Sequence, residues 1–154
     1  MGPSGSGKST VGAALATRLG ARFIDADDLH PPENVAKMAA GIALDDADRM
    51  PWLRRVGEVL GEGERIVVAC SALRRVYRDT IRAQAPDTFF AELAPDRGEL
   101  ARRLRDRRAH FMPPSLLESQ LATWEPLQSD ESGVRVSGHA DVTAAVREVT
   151  QSLR

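Results

Sequence analysis

Residues 2–9, Gly-Pro-Ser-Gly-Ser-Gly-Lys-Ser, have the types and the spacing that bind the phosphates of a nucleoside triphosphate. Glycines let the backbone turn so that successive N–H groups point into one concavity, and a helix beginning after the loop adds its free N–H donors. The Lys8 ammonium can reach the β- and γ-phosphates, and the Ser9 hydroxyl can ligate Mg²⁺. The predicted nucleotide-binding residues are Gly2, Pro3, Ser4, Gly5, Ser6, Gly7, Lys8, Ser9 and Thr10.

Lysine is rare in this chain, which makes the two positions that keep it informative. The chain has 21 Lys and Arg residues, and only Lys8 and Lys37 are lysines. A compact ammonium does work that a planar guanidinium cannot do. Because Lys8 belongs to the phosphate-binding motif, Lys37 becomes a candidate site residue.

A second group of polar side chains follows the first predicted strand. Asp25 and Asp27 leave this strand, and His30, Asn34 and Lys37 come next along the chain. Ligands of open α/β sheets bind beyond the carboxyl ends of the strands, so we expect this group to face the phosphate-binding loop. Phosphoryl transfer needs a carboxylate positioned at the acceptor hydroxyl, and Mg²⁺ needs a carboxylate that holds it through water. We expect Asp25 and Asp27 to divide these two roles. The alternative for either aspartate is a turn or helix cap.

The chain as a whole fits one domain over residues 1–154. The net charge of −1 implies no general affinity for nucleic acid, and no apolar run approaches the length of a membrane span. The single cysteine, Cys70, excludes an internal disulfide framework and suits the reducing cytoplasm. The oligomeric state is left open between a monomer and a homodimer.

Helix and strand patterns alternate, which predicts an α/β fold with a parallel sheet. The predicted strands are 22–25, 65–71, 88–93 and 134–137, and the predicted helices are 10–19, 33–40, 51–60, 74–83, 95–108, 115–123 and one from residue 141. A phosphate-binding loop normally follows a central strand, yet only Met1 precedes the loop here. We therefore expect a first strand upstream of Met1.

Longer motifs extend over nearly the whole chain. They are Asp27-x-Leu-His-Pro-x-x-Asn-x-x-Lys-Met38, Gly41-x-x-Leu-x-Asp-x-Asp-Arg-x-Pro-Trp-Leu53, Cys70-Ser-Ala-Leu-Arg-Arg-x-Tyr-Arg-Asp79, Arg107-x-x-His-Phe-Met112 and Ser119-Gln120. In this order they resemble the gluconokinase family of small P-loop kinases that phosphorylate sugar acids. The resemblance implies an adenylate-kinase-like, three-layer fold: a five-stranded parallel sheet, helices on both faces, and a mobile lid over about residues 103–124.

The resemblance also implies a reaction, its cofactors and the residues that serve it. The reaction is phosphoryl transfer from ATP, with Mg²⁺, to gluconate. The implied catalytic residues are Lys8, Asp27 and Arg107, and the implied substrate-binding residues are Asp27, His30, Lys37, Arg49, Arg74, Arg78 and His110. Mg²⁺ would be held by Ser9 directly and by Asp25 through water.

Several of these residues have plainer alternatives. Arg74 and Arg78 lie one helical turn apart and suit a carboxylate, but they could equally form a solvated helix face. Arg49 ends an acidic run and could be a surface ion pair. The Arg-rich stretch 102–108 is typical of a solvated face or a nucleic-acid patch, and the absence of interleaved aromatic residues disfavours nucleic acid.

Two other functions compete with the leading prediction. A shikimate kinase shares the phosphate-binding loop and the Asp-x-Asp pattern, but Cys70-Ser-Ala-Leu-Arg74 stands where a Gly-Gly-Gly substrate loop is expected. A nucleotide-dependent switch would need a dedicated water-positioning residue and a partner surface.

Overall fold

In the computed structural model of the protein, which describes residues 1–94, 98, 100, 120–137 and 141–153, strands and helices alternate along the chain. The strands are β1 (Arg22–Asp25), β2 (Ile66–Ala69), β3 (Phe90–Ala94) and β4 (Gly133–Ser137). The helices are α1 (Lys8–Leu19), α2 (Pro32–Ala39), α3 (Asp46–Leu60), α4 (Arg75–Arg82) and α5 (Val142–Ser152), and a 3₁₀ helix spans Ala26–Leu29. The predicted α/β class is confirmed.

Helix α3 begins at Asp46 rather than at the predicted Pro51, because carboxylates cap its first turn. The Asp45 side chain accepts a hydrogen bond from the Asp48 N–H, and the Asp48 side chain accepts one from the Asp45 N–H. This reciprocal capping box satisfies backbone donors at the start of the helix, and Pro51 lies inside it. As a consequence, Asp46, Asp48 and Arg49 are fixed on a helix rather than on a loop.

The strands pair in two parallel sets, β1 with β2 and β3 with β4. The continuous five-stranded sheet implied by the resemblance differs from this arrangement, since no described strand joins β2 to β3. Met1 lies at the edge of β3 and continues its ladder: the Leu93 N–H donates to the Met1 carbonyl at 2.8 Å, and the Met1 amino group donates to the Ala91 carbonyl at 2.5 Å.

Helices cover both faces of the strands, which confirms the three-layer architecture. Helices α1 and α5 pack on one face, where Leu15, Leu93 and Val136 belong to one apolar cluster. Helices α3 and α4 pack together on the other face, where Trp52 and Tyr77 belong to a second cluster. In the described ranges, no helix is both long and apolar enough to cross a membrane.

A groove of about 880 Å³ lies between β2 and β3. Its walls include Val67 and Val68 of β2, Ala91 and Leu93 of β3, and Leu15 of α1. The facing edges of β2 and β3 both border this groove.

Candidate active site

The loop of residues 2–7 has the backbone shape of an anion cradle. Gly2 has a φ of +156°, and a Cβ atom there would lie 2.7 Å from the Leu93 carbonyl oxygen. Gly7 has a φ of +90° and stands directly before α1, so the free N–H groups of the first turn of α1 face the loop. The Lys8 ammonium folds back over the loop, with its Nζ 3.5 Å from the Pro3 carbonyl oxygen.

Ser9 and Asp25 meet beside this cradle. The Ser9 hydroxyl donates to Asp25 Oδ2 at 2.7 Å, and Asp25 Oδ1 accepts the Asp27 N–H at 3.1 Å. Hydroxyl and carboxylate oxygens are the ligands that Mg²⁺ prefers, so the pair fits this ion. Within the described part of the chain, no three His, Cys, Asp or Glu side chains converge on one point. A metal ion here would therefore take most of its ligands from nucleotide phosphates and water.

The 3₁₀ helix carries the chain from Asp25 to His30, whose ring contacts Trp52 and Asn34. The His30 ring stacks on Trp52, with centroids 4.1 Å apart and planes 15° from parallel. The Trp52 indole N–H donates to the Ala26 carbonyl at 2.7 Å, and the Asn34 amide nitrogen lies 3.2 Å from His30 Nδ1. Burial lowers the pKa of His30; the charge of Asp27 opposes this shift and that of Arg49 adds to it.

Lys37 on α2 points to the first turn of α3. Its ammonium donates to both carboxylate oxygens of Asp48, at 2.6 and 2.8 Å. The hydrogen bond with Asp48 raises the pKa of Lys37, and the same bond lowers the pKa of Asp48. Lys37 is therefore charged, and its ion pair joins α2 to the start of α3.

Arg49 and Arg74 both lie against the ring of Tyr77. Their guanidinium carbons are 5.8 and 5.3 Å from the ring centroid, within the range of cation–π attraction. Arg74 donates to both oxygens of Asp46, at 2.9 and 3.2 Å, and the Tyr77 hydroxyl donates to the same carboxylate at 2.6 Å. The hydrogen bond from Tyr77, followed by that from Arg74, lowers the pKa of Asp46.

Arg78 does not join this cluster, which corrects the expectation that it contacts substrate. Its side chain is fully buried, and its guanidinium binds both oxygens of Glu131 at 2.7 Å. The same guanidinium donates to the backbone carbonyls of Ala72, Glu125 and Pro126. Because these protein groups occupy its donors, Arg78 ties α4 to the segment around Glu131.

Comparison with known proteins identifies the family. The shikimate kinase family profile matches residues 4–151. The chain is 51% identical to the gluconokinase of Gluconobacter oxydans over 148 residues, which are 92% of this chain and 83% of that protein. It is 39% identical to the thermosensitive gluconokinase of Escherichia coli, covering 99% of this chain and 84% of that protein. The chain belongs to the gluconokinase family, and it is a P-loop kinase.

Solved structures agree with this assignment to the gluconokinase family. A crystal structure of a gluconokinase from Sinorhizobium meliloti superposes with a TM-score of 0.91 at 47% identity, covering 99% of this chain and 88% of that one. The APS kinase of Mycobacterium tuberculosis has a TM-score of 0.72 at 21% identity, covering 99% of this chain and 94% of that one, and so shares the fold.

The remaining gluconokinase-family predictions fall in the segment that would form the lid. Arg107 and His110 lie outside the described residues, as does most of 103–124. At its far end, residues 120–123 are helical, and Gln120 Oε1 accepts the Ser4 N–H at 2.9 Å. This bond links the end of the segment directly to the phosphate-binding loop.

Trp52, Tyr77 and Gln120 are among the contributors to the site that received no role from the sequence. Each lies in a motif that carried the family resemblance, so the motifs marked their positions. Their roles depend on which groups they meet in space, such as Asp46 for Tyr77 and Ser4 for Gln120. Such partners are not visible in the sequence.

Proposed function

We propose that this chain transfers the γ-phosphoryl group of ATP to the primary hydroxyl of D-gluconate, giving ADP and 6-phosphogluconate. One observation carries the proposal. The Ser9–Asp25 pair lies beside the phosphate cradle at the end of β1, and the 3₁₀ helix that follows leads to His30 and, through Asn34, to the start of α3, where the cations Lys37, Arg49 and Arg74 gather. That juxtaposition suits a triphosphate next to a small carboxylated polyol.

The phosphate loop would hold ATP in the following way. The N–H groups of the loop and of the first turn of α1 bind phosphate oxygens. The Lys8 ammonium moves from the Pro3 carbonyl to the β- and γ-phosphates and offsets the charge that develops during transfer. Mg²⁺, bound by Ser9 and through water by Asp25, would supply charge neutralisation at the phosphates.

Asp27 is the proposed proton acceptor. It lies in the first turn of the 3₁₀ helix that follows β1, and its carboxylate is exposed, so an acceptor hydroxyl can approach it. As the hydroxyl oxygen bonds to the γ-phosphorus, the bond from that phosphorus to the β,γ-bridging oxygen breaks and leaves ADP. The hydroxyl proton passes to the Asp27 carboxylate.

The cation cluster is the proposed binding site for gluconate. Arg74 offers a planar fork that matches a carboxylate, and the ring of Tyr77 supports it together with Arg49. His30 and Lys37 would contact the polyol hydroxyls. Contacts from Arg107 and His110 stay predictions, as do Mg²⁺ binding, cytoplasmic location and homodimer formation.

Shikimate phosphorylation is the second candidate, because the shikimate kinase profile covers most of the chain. The cation cluster does not by itself separate the two candidates, since shikimate also carries a carboxylate. The experiment that separates the candidates is a coupled assay of ADP release with ATP and Mg²⁺, comparing gluconate, shikimate and glucose at equal concentration. The Lys8→Ala variant is the background control.

We expect gluconate to stimulate ADP release well above the rate with ATP alone, and the other two compounds to leave that rate unchanged. Stimulation by shikimate alone would transfer the proposal to the second candidate. ATP hydrolysis that no acceptor changes would favour a nucleotide-dependent switch.

A further inference from the structure

Asn34 is the one buried side chain of α2, and it stands between His30 and α3. Its exposed fraction is 3%. The amide nitrogen donates to the Asp48 carbonyl oxygen at 3.0 Å and lies 3.2 Å from His30 Nδ1. A buried amide of this kind is held in one orientation by its partners.

These two contacts determine which ring nitrogen of His30 carries a proton. A backbone carbonyl can only accept, so the Asn34 group facing Asp48 must be the NH₂ end of the amide. One of its hydrogens goes to that carbonyl and the other faces His30 Nδ1. For this second contact to be a hydrogen bond, Nδ1 must be the acceptor. In the neutral ring the proton then sits on Nε2.

The ring is also fixed in orientation by stacking on Trp52, which is itself anchored on the Ala26 carbonyl. Turning the ring out of its plane would break the stacking, and a 180° flip within that plane would replace Nδ1 by a C–H group and so break the bond from Asn34. His30 therefore presents one invariant polar group, the Nε2–H.

We propose that Asn34 is a positioning residue that holds His30 as the neutral Nε2–H tautomer, so that His30 donates a hydrogen bond to an oxygen of the sugar acid. His30 then acts neither as a cation nor as a proton acceptor. The identity of the acceptor oxygen rests on the proposed function, whereas the tautomer does not.

Low pH should disrupt the hydrogen bond between Asn34 and His30. Protonation would place an Nδ1–H against the NH₂ group of Asn34 and remove their hydrogen bond. The charged groups around the ring are Asp27 on the 3₁₀ helix, Arg49 on α3, and the Lys37–Asp48 pair that joins α2 to α3. Burial of the ring, which lowers the pKa of His30, acts in the same direction as Asn34.

The tautomer can be measured directly in the intact protein. Two-bond couplings in ¹⁵N–¹H spectra distinguish a protonated ring nitrogen from a bare one, and the His30 signals are assigned by their loss in His30→Gln. We expect a bare Nδ1 and a protonated Nε2 at neutral pH. A protonated Nδ1, or a doubly protonated ring at that pH, overturns the proposal.

Kinetics test whether the positioning matters for substrate. Asn34→Ala should raise the KM for gluconate about threefold to tenfold, the effect of one hydrogen bond, and leave the KM for ATP unchanged. In a His30→Gln background the same change should have little effect, because a glutamine amide offers an N–H donor without tautomers. Val35→Ala, on the exposed side of the same helix, is the matched control.

If Asn34→Ala raises the KM for gluconate equally in the wild-type and His30→Gln backgrounds, Asn34 has a merely structural role and the positioning role is overturned. If gluconate proves not to be the substrate, the ¹⁵N spectra still decide the tautomer, so the two failures are distinguishable.

Discussion

Replacing Glu131 by Gln should strongly destabilise the fold, because it leaves the Arg78 guanidinium buried without a counter-charge. The side chains of both residues have no exposed surface, and Glu131 also accepts hydrogen bonds from Arg82 and from the Gln128 N–H. The hydrogen bond from Arg78, opposed by burial and reinforced by Arg82, lowers the pKa of Glu131 to about 2 from an ordinary 4.5.

The size of the effect follows from that pKa. A shift of this size corresponds to about 3 kcal/mol of stabilisation of the charged form. Breaking a buried pair by removing one partner typically costs ~3–5 kcal/mol. We therefore expect Glu131→Gln to lower the free energy of unfolding by about 3 kcal/mol, a large part of the ~5–15 kcal/mol of a typical domain.

The dependence on pH gives this prediction a second readout. Because the folded pKa of Glu131 is lowered, the stabilisation is complete above the ordinary value of 4.5 and is lost as the pH falls toward about 2. Urea unfolding curves of the wild type and Glu131→Gln should therefore differ most near neutral pH. They should converge under strongly acidic conditions.

Asp130→Asn is the matched control, since Asp130 is the exposed neighbour that pairs with Arg75 on the surface. This substitution should lower the free energy of unfolding by less than ~1 kcal/mol. Equal losses for the two variants would refute the reasoning. So would a raised gluconate KM in folded Glu131→Gln protein without loss of stability, because Arg78 would then act on substrate.

Three further outcomes are expected. Lys8→Ala should lower kcat by a factor of hundreds, about 3–4 kcal/mol of lost transition-state stabilisation, while its urea unfolding curve matches the wild type. Asp27→Asn should lower kcat by roughly 10²- to 10⁴-fold with an unchanged Kd for ATP, and a wild-type kcat would remove Asp27 from catalysis. Arg74→Ala should raise the gluconate KM about tenfold to a hundredfold, whereas Arg55→Ala, an arginine in a surface pair on α3, should leave it unchanged.

Local signals predicted the elements well, and the exceptions have physical causes. Strand β1 was predicted at its observed limits, because the apolar pair Phe23 and Ile24 is bounded by polar residues. The start of α3 was misplaced because Pro51 resembles a first-turn proline. The carboxylates of Asp45 and Asp48 instead cap an earlier turn.

The site was predicted less evenly than the elements. The spacing of the phosphate loop and the position of Asp25 at a strand end are local, and they singled out Ser9 and Asp25 as Mg²⁺ residues, whose side chains the structure brings together. The role of Arg78 is not local, since its partner Glu131 lies on a distant segment of the chain. Spacing along α4 could only suggest that Arg78 shares a face with Arg74.

If the cation cluster binds the substrate as proposed, its ion pairs would make that binding an exchange of anions. Lys37 is already neutralised by Asp48, and Arg74 by Asp46, before any ligand arrives. A sugar acid brings a carboxylate that can replace one of these internal anions at no net loss of pairing. The hydroxyls of an uncharged sugar are weaker partners for a cation than a carboxylate is, so such a sugar would leave both ion pairs intact and gain no charged contact. Discrimination between acid and aldose would then be performed by the anions of the protein as much as by its cations.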